Sequence, residues 1–184
     1  MIPKPAETDI AELEKSLNEA DHATRLSWMR DLGKKDMDAL YEMAEGRDVP
    51  PEYFLDSEGG PLTFDGRNSL PAFSNFQKAF ARHQERIQGW NVNGGIVRWF
   101  GGPGHFQVRK ADNWEGQLIF DYVWECTSAP QDFPTPESNL KMPYRLVYGN
   151  MEDVVRRVSK DVIISKAYRK GKPEGAFFSL CRPV

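Results

Sequence analysis

Four stretches of the chain set one ionisable side chain among apolar neighbours at a spacing of two residues. They are Ile96-Arg98-Phe100, Ile119-Asp121-Val123, Val154-Arg156-Val158 and Val162-Ile164-Lys166-Tyr168. In an extended strand, residues two apart share a face. Each stretch therefore describes an apolar face carrying one charge. Burying an unpaired charge is costly, so an inward charge needs a partner or a ligand. An Arg in that position offers a planar fork to a carboxylate or phenolate. An Asp there has a raised pKa, which suits acid–base work beside a tyrosine hydroxyl. The same faces can also point outward, with the long side chains reaching water. In that case Val97 and Trp99, or Leu118, Phe120, Tyr122, Trp124 and Cys126, form the core.

Other motifs are weaker. Gly101-Gly102-Pro103-Gly104 is followed by the alternating run HFQVRK rather than a helix, so it reads as a turn and not a phosphate cradle. His22, His83 and His105 have no metal-ligand spacing, and no metal or cofactor is expected. His105, beside the glycines, is the histidine best placed for a site. Cys126 and Cys181 are too few for a disulfide framework and read as reduced thiols. No Gly-x-Ser-x-Gly elbow is present.

The elements that must hold these residues come in two kinds. Asp9 and Glu12 have capping-box spacing before Ile10, Leu13 and Leu17, which predicts a helix over about 9–20. Asp21 starts a second, carrying Ala23, Leu26 and Met29, with Gly33 as its stop. Asp36 starts a third, carrying Met37, Leu40, Tyr41 and Ala44. Residues 59–71 read as a loop. Ser69 then caps a fourth helix with Phe73, Phe76 and Phe80 as an aromatic stripe. From Gly89 β-branched and aromatic residues take over. Strands are expected near 95–100, 104–110, 117–126, 144–149, 153–158, 161–168 and 176–182, though VVRRV could instead extend a short helix. The Pro-rich segment 127–143 is a long connection, of a length that often forms a lid.

Helices first and five to seven meandering strands after them predict an α+β fold: N-terminal helices packed on a C-terminal antiparallel sheet or β-barrel. The expectation is one domain over 1–184, mainly helical with loops over 1–88 and antiparallel β over 89–184. A chain of 184 residues, 40% hydrophobic and 12% aromatic, has enough apolar mass for such a core. A net charge of −3 argues against a nucleic-acid partner. No apolar run is long enough to span a membrane, and the N-terminal residues lack a signal peptide's apolar core, so a cytoplasmic protein is expected. Oligomeric state is left open.

The run from Asp153 to Arg182, DVVRRVSKDVIISKAYRKGKPEGAFFSLCR, resembles the last strands of small lipocalin-like barrels in the nitrobindin-like and Gly-x-Trp-x-Gly domain families, and GQLIFDYVWE fits the same picture. The Gly-x-Trp-x-Gly motif itself is absent, and no haem-ligating His carries over. The resemblance implies a small barrel with an apolar interior that binds small hydrophobic ligands.

The expected function is binding of a small hydrophobic, anionic molecule in a barrel cavity. Arg98, Trp99, Phe106, Trp124, Tyr148 and Arg156 are the candidate contacts. The alternative is a cofactor-independent cyclase or isomerase using Asp121 as base and Tyr122, Tyr144 or Tyr148 as donor; a third is a protein-interaction domain docking through its helices. Asp121 facing a cavity near a tyrosine hydroxyl would favour the enzyme, and Asp121 locked to an Arg outside it would favour binding.

Overall fold

The structure is a computed structural model; it describes residues 1–58, 60–70, 74–92, 102–114 and 116–183. Three helices come first, as their spacing predicts: α1 (Ile10–Glu19), α2 (His22–Arg30) and α3 (Lys34–Met43). Asp9 caps α1, its carboxylate accepting from the amides of Ala11 and Glu12, both at 2.9 Å. Asp21 caps α2 by accepting from the Thr24 amide at 2.7 Å. The start of α3 differs from expectation. Gly33 is its N-cap, and Asp36, at the third helical position, reaches back to accept from the Gly33 amide at 2.9 Å.

The strands are β1 (Leu62–Asn68), β2 (Asn75–His83), β3 (Arg86–Val92), β4 (Phe106–Lys110), β5 (Leu118–Asp121), β6 (Met151–Arg157), β7 (Val162–Arg169) and β8 (Lys172–Cys181). Each pairs antiparallel with its neighbour in sequence, and β8 returns to pair with β1, closing the barrel. The fold is α+β, with N-terminal helices on an antiparallel barrel.

Three parts of the expected element map are corrected. Residues 62–68, rich in turn formers, are strand β1. There Gly66 makes room for its cross-strand partner, since a Cβ would lie 2.6 Å from the Phe76 ring. The expected fourth helix is β2, followed by β3, so the β region begins at Leu62 and not near Gly89. The expected strand at 144–149 is instead a single helical turn, α4 (Arg145–Tyr148). The strand expected at 95–100 lies outside the described residues.

Alternation along the strands divides the apolar residues in two. Outward residues of β7 and β8, including Val162, Ile164, Phe177 and Cys181, pack against Leu13, Leu17, Met29, Met37 and Leu40 of the helices. Inward residues fill the barrel. Phe54, in the 3-10 turn Pro51–Phe54 before β1, plugs the interior with its ring stacked on Phe80 at 4.7 Å and edge-on to Phe120 at 5.2 Å. Phe64 and Phe106 complete this aromatic core. At the opposite end of the barrel β3 gives way to β4 and β5 to β6, across the two longest intervals between strands.

Candidate functional site

Just beyond the aromatic plug, toward the end with the long connections, the interior turns polar. Phe76, Lys78 and Phe80 share the inward face of β2, so the lysine enters the barrel among the rings and is only 3% exposed. Its Nζ donates to Asn91 Oδ1 at 2.7 Å and to the Tyr122 hydroxyl at 2.5 Å. Asn91 stands directly across from it on β3. The ammonium lies 4.8 Å from the ring centroid of Phe106, 4.9 Å from Phe178, 5.2 Å from Tyr122, 5.6 Å from Phe76 and 5.7 Å from Phe120. Five π-faces surround one cation, each attracting it more strongly for the absence of water.

Asp153, inward on β6 and also buried, supplies the countercharge. The Tyr122 hydroxyl accepts from Lys78, and the Asp153 carboxyl lies close enough to act on the charge of both groups. Burial pushes the Asp153 pKa up to about 6, against the pull of Lys78 and Tyr122. Burial lowers the Lys78 pKa to about 8, against the pull of Asp153. Burial, with the nearby Asp153, holds the Tyr122 hydroxyl well above its ordinary pKa, so it stays a donor. Lys78, Tyr122 and Asp153 form one buried polar cluster inside an aromatic shell.

This cluster is roofed by α4. Tyr148 lies flat on Tyr122, ring centroids 5.0 Å apart and planes 6° from parallel. Gly104 lets it approach. Its φ is +53°, and a Cβ there would lie 2.6 Å from both the Tyr148 ring and the Asn91 amide nitrogen. The Gly104 carbonyl accepts from Asn91 Nδ2 at 3.1 Å, which fixes the amide so that its oxygen faces Lys78. The glycine-rich run is thus a turn, as its sequence suggests, and also the seat of the roof. Asn139 straps the 127–143 segment down by donating to the carbonyls of His105 at 2.8 Å and Tyr122 at 3.0 Å. Phe133 of the same segment covers the outer faces of Ala79 and Ala81.

The structure gathers Tyr122, Phe106 and Tyr148 of the expected site residues around Lys78. Asp121 stands elsewhere. One residue before Tyr122, it faces out of the barrel, where Arg109 Nε donates to it at 2.7 Å and Gln107 Nε2 at 3.0 Å. This corrects the expectation of an inward Asp121; the inward carboxylate is Asp153. Arg156 is corrected in the same way. It lies between the barrel and α3, its Nη1 donating to the Tyr41 carbonyl at 2.7 Å and its guanidinium 3.9 Å above the Tyr41 ring. Trp124 follows the end of β5, half-buried, with the Arg86 guanidinium 5.9 Å from its ring. Arg98 and Trp99 belong to the connection between β3 and β4 and lie outside the described residues.

Sequence reasoning missed Lys78, Asn91 and Asp153. Phe76 and Phe80 are four apart, a spacing that suits both a helix and a strand. Only the strand reading puts Lys78 on their face. The thiols do not join the site: Cys126 and Cys181 are free, and burial raises both pKa values, that of Cys181 to about 11. Among the described residues no group of three or more His, Cys, Asp or Glu could hold a metal ion. No described helix is long and apolar enough to cross a membrane.

No family model matches the chain, and no curated protein does. A solved structure described as "Crystal structure of protein from Thermomonospora curvata" is 15% identical, with 95% of this chain and 96% of that one covered, at a TM-score of 0.35. That likeness is too distant to inform the site. A closed eight-stranded antiparallel barrel is consistent with a lipocalin-like architecture.

Proposed function

We propose that the barrel binds a small hydrophobic molecule with an anionic end, and that Lys78 meets that end. One observation carries the reading: a fully buried ammonium surrounded by five aromatic rings, with Asn91 and Tyr122 already oriented toward it. Rings offer apolar contact to a ligand body, and one cation with a few fixed polar groups offers orientation, the usual make-up of a small-molecule site. Phe106 and Tyr148 belong to the same shell. Arg98 and Trp99 are proposed as further contacts. Asp121, locked to Arg109 outside the barrel, favours binding over the acid–base chemistry that an inward Asp121 would support.

The countercharge sets the binding chemistry. A carboxylate or phenolate arriving at Lys78 competes with Asp153, whose raised pKa lets it answer by taking a proton. Binding of an anion is therefore coupled to proton uptake. Native mass spectrometry of the freshly purified protein should show a co-purified ligand. Calorimetry with a fatty or aromatic acid and its methyl ester provides the quantitative test. Lys78→Met should weaken the acid by about 1.4 kcal/mol or more, a tenfold loss, and hardly affect the ester. Arg156→Met should affect neither. Equal binding of acid and ester to the wild-type protein, or no binding of either, would overturn the reading.

A further inference from the structure

We propose that Lys78 captures small hydrophobic aldehydes as a reversible imine inside the barrel, with Tyr122 and Asp153 moving the protons. This rests on the reading above in one respect only, that the barrel admits a small hydrophobic molecule. An amine attacks a carbonyl only as the free base. In most proteins a lysine is water-exposed and stays protonated. Here the ammonium has an outlet: it touches the Tyr122 hydroxyl at 2.5 Å, with the buried Asp153 carboxyl close by to receive the proton. Burial helps, because it lowers the Lys78 pKa and raises that of Asp153, which makes the free amine less costly to reach than on an exposed lysine.

The step balances without an outside reagent. The Lys78 nitrogen lone pair forms a bond to the carbonyl carbon, and the carbonyl π pair moves to oxygen. That oxygen takes the proton held by Asp153, relayed through Tyr122, and a proton leaves nitrogen for the carboxylate to give a neutral carbinolamine. The nitrogen pair then expels the hydroxyl group, which takes the proton back from Asp153 and departs as water. The sum is aldehyde plus ammonium giving protonated imine plus water. Nothing is oxidised or reduced. One positive charge stands at the same place before and after, beside the Asp153 carboxylate and within the same five rings. The iminium keeps an N–H for Asn91 Oδ1, the 2.7 Å acceptor of the ammonium. A site that holds this cation is thus also built to hold its imine. A ligand body of apolar chain or ring suits the cage, and a polar sugar aldehyde does not.

The test treats the full chain with octanal or cinnamaldehyde in the presence of cyanoborohydride, which delivers hydride to the imine and makes it permanent. Intact mass spectrometry and peptide mapping then locate the adduct. The expected result is one adduct per chain, on Lys78, ahead of every other lysine. Cinnamaldehyde should also show a red-shifted absorption band from the protonated imine before reduction. Glyceraldehyde, small and polar, should label exposed lysines and spare Lys78. Tyr122→Phe should slow the appearance of the band while leaving the final adduct on Lys78. Adducts on exposed lysines alone would overturn the proposal, and this result needs no variant to fold. Calorimetry with octanoate separates the two readings. Octanoate binding without Lys78 labelling sinks aldehyde capture alone. Lys78 labelling without octanoate binding sinks the anion reading alone, and neither result sinks both.

Discussion

Asp121 and Tyr122 are adjacent in the chain and stand on opposite sides of the barrel wall. Tyr122 accepts from Lys78 within the barrel at 2.5 Å, and Asp121 accepts from Arg109 outside it at 2.7 Å. Substitutions at the two positions should therefore separate. Tyr122→Phe removes the buried hydroxyl to which Lys78 donates and should cost about 1–3 kcal/mol of stability, with weaker binding of an amphipathic acid. Asp121→Asn loosens an outer ion pair and should also lower stability, but leave the acid's affinity as it is. Urea unfolding and calorimetry on the two variants check this; an affinity loss in Asp121→Asn equal to that in Tyr122→Phe would contradict the assignment of faces.

The Lys78–Asp153 pair makes stability depend on pH in a definite direction. Asp153 has a folded pKa of about 6 against an ordinary 3.8, so its stabilising contribution is present at low pH and lost as pH rises toward 6. Lys78 has a folded pKa of about 8 against 10.5, so its contribution is present at high pH and lost as pH falls toward 8. Both effects place the least favourable range for this pair between about 6 and 8, where the two groups are charged. Removing one partner leaves an uncompensated buried charge, whereas removing both does not. The double variant Lys78→Met with Asp153→Leu should be more stable near pH 7 than either single variant, and should flatten the dip. A double variant less stable than both singles would remove the pair from the energetic account.

Much of the helical half was legible in the sequence. Asp9 and Asp21 are local caps that act within three residues, and Leu13, Leu17 and Leu40 repeat with the helical period, so nothing distant is needed to read them. The barrel's second half was legible because β6, β7 and β8 alternate cleanly. What stayed hidden depended on distant partners. Phe76 and Phe80 satisfy two periods at once, and only pairing with β1 and β3 decides for the strand. Asp121 and Asp153 each sit among apolar residues, and which one faces inward is settled by barrel closure, since a shift of one residue exchanges the faces. The closeness of Gly104 to Tyr148 is a tertiary contact with no local signature.

Ligand affinity should follow the same charges as stability. Near pH 7.5 Lys78 and Asp153 balance, and the interior offers a carboxylate little net attraction. As pH falls through about 6, Asp153 gains a proton and the site becomes net positive. Affinity for a fatty or aromatic acid should therefore rise as pH is lowered toward about 5, where the ligand's own carboxyl begins to protonate. Above about 8 it should fall as Lys78 loses its charge. Titrations across this range, with the methyl ester as control, give the profile; a flat profile for the acid would exclude Lys78 and Asp153 as its partners.

Leu40 reports on the outer layer. It is fully buried between α3 and the barrel, in the cluster that includes Ile164 and Phe177. Leu40→Ala should cost about 2–5 kcal/mol through lost transfer energy and the cavity left behind. The barrel interior is a separate cluster, so acid binding under native conditions should persist. Chemical unfolding with calorimetry on the same sample checks both parts. A stability loss below about 0.5 kcal/mol would mean that α3 can slide on the sheet to refill the gap.

The 127–143 segment is long and Pro-rich, but Asn139 and Phe133 tie it to the barrel. Asn139 alone serves two carbonyls, those of His105 and Tyr122, and both lie next to the polar cluster. Asn139→Ala removes both donors and should cost about 1–3 kcal/mol locally. That cost falls on the segment rather than the barrel, so it should appear first as local opening. Lys141, exposed two residues on, then becomes the natural site for trypsin. Cleavage after Lys141 should be slow in the wild-type protein and faster in the variant, at a rate set by opening of the segment. A ligand at Lys78 lies beneath Tyr122, whose backbone carbonyl is one of the two anchors. Bound acid should therefore slow cleavage in the wild-type protein, and do so less in Asn139→Ala, where that anchor is gone. Cleavage rates measured with and without ligand decide it. If ligand leaves the wild-type rate unchanged, the segment is a fixed strap on the barrel wall and takes no part in ligand entry.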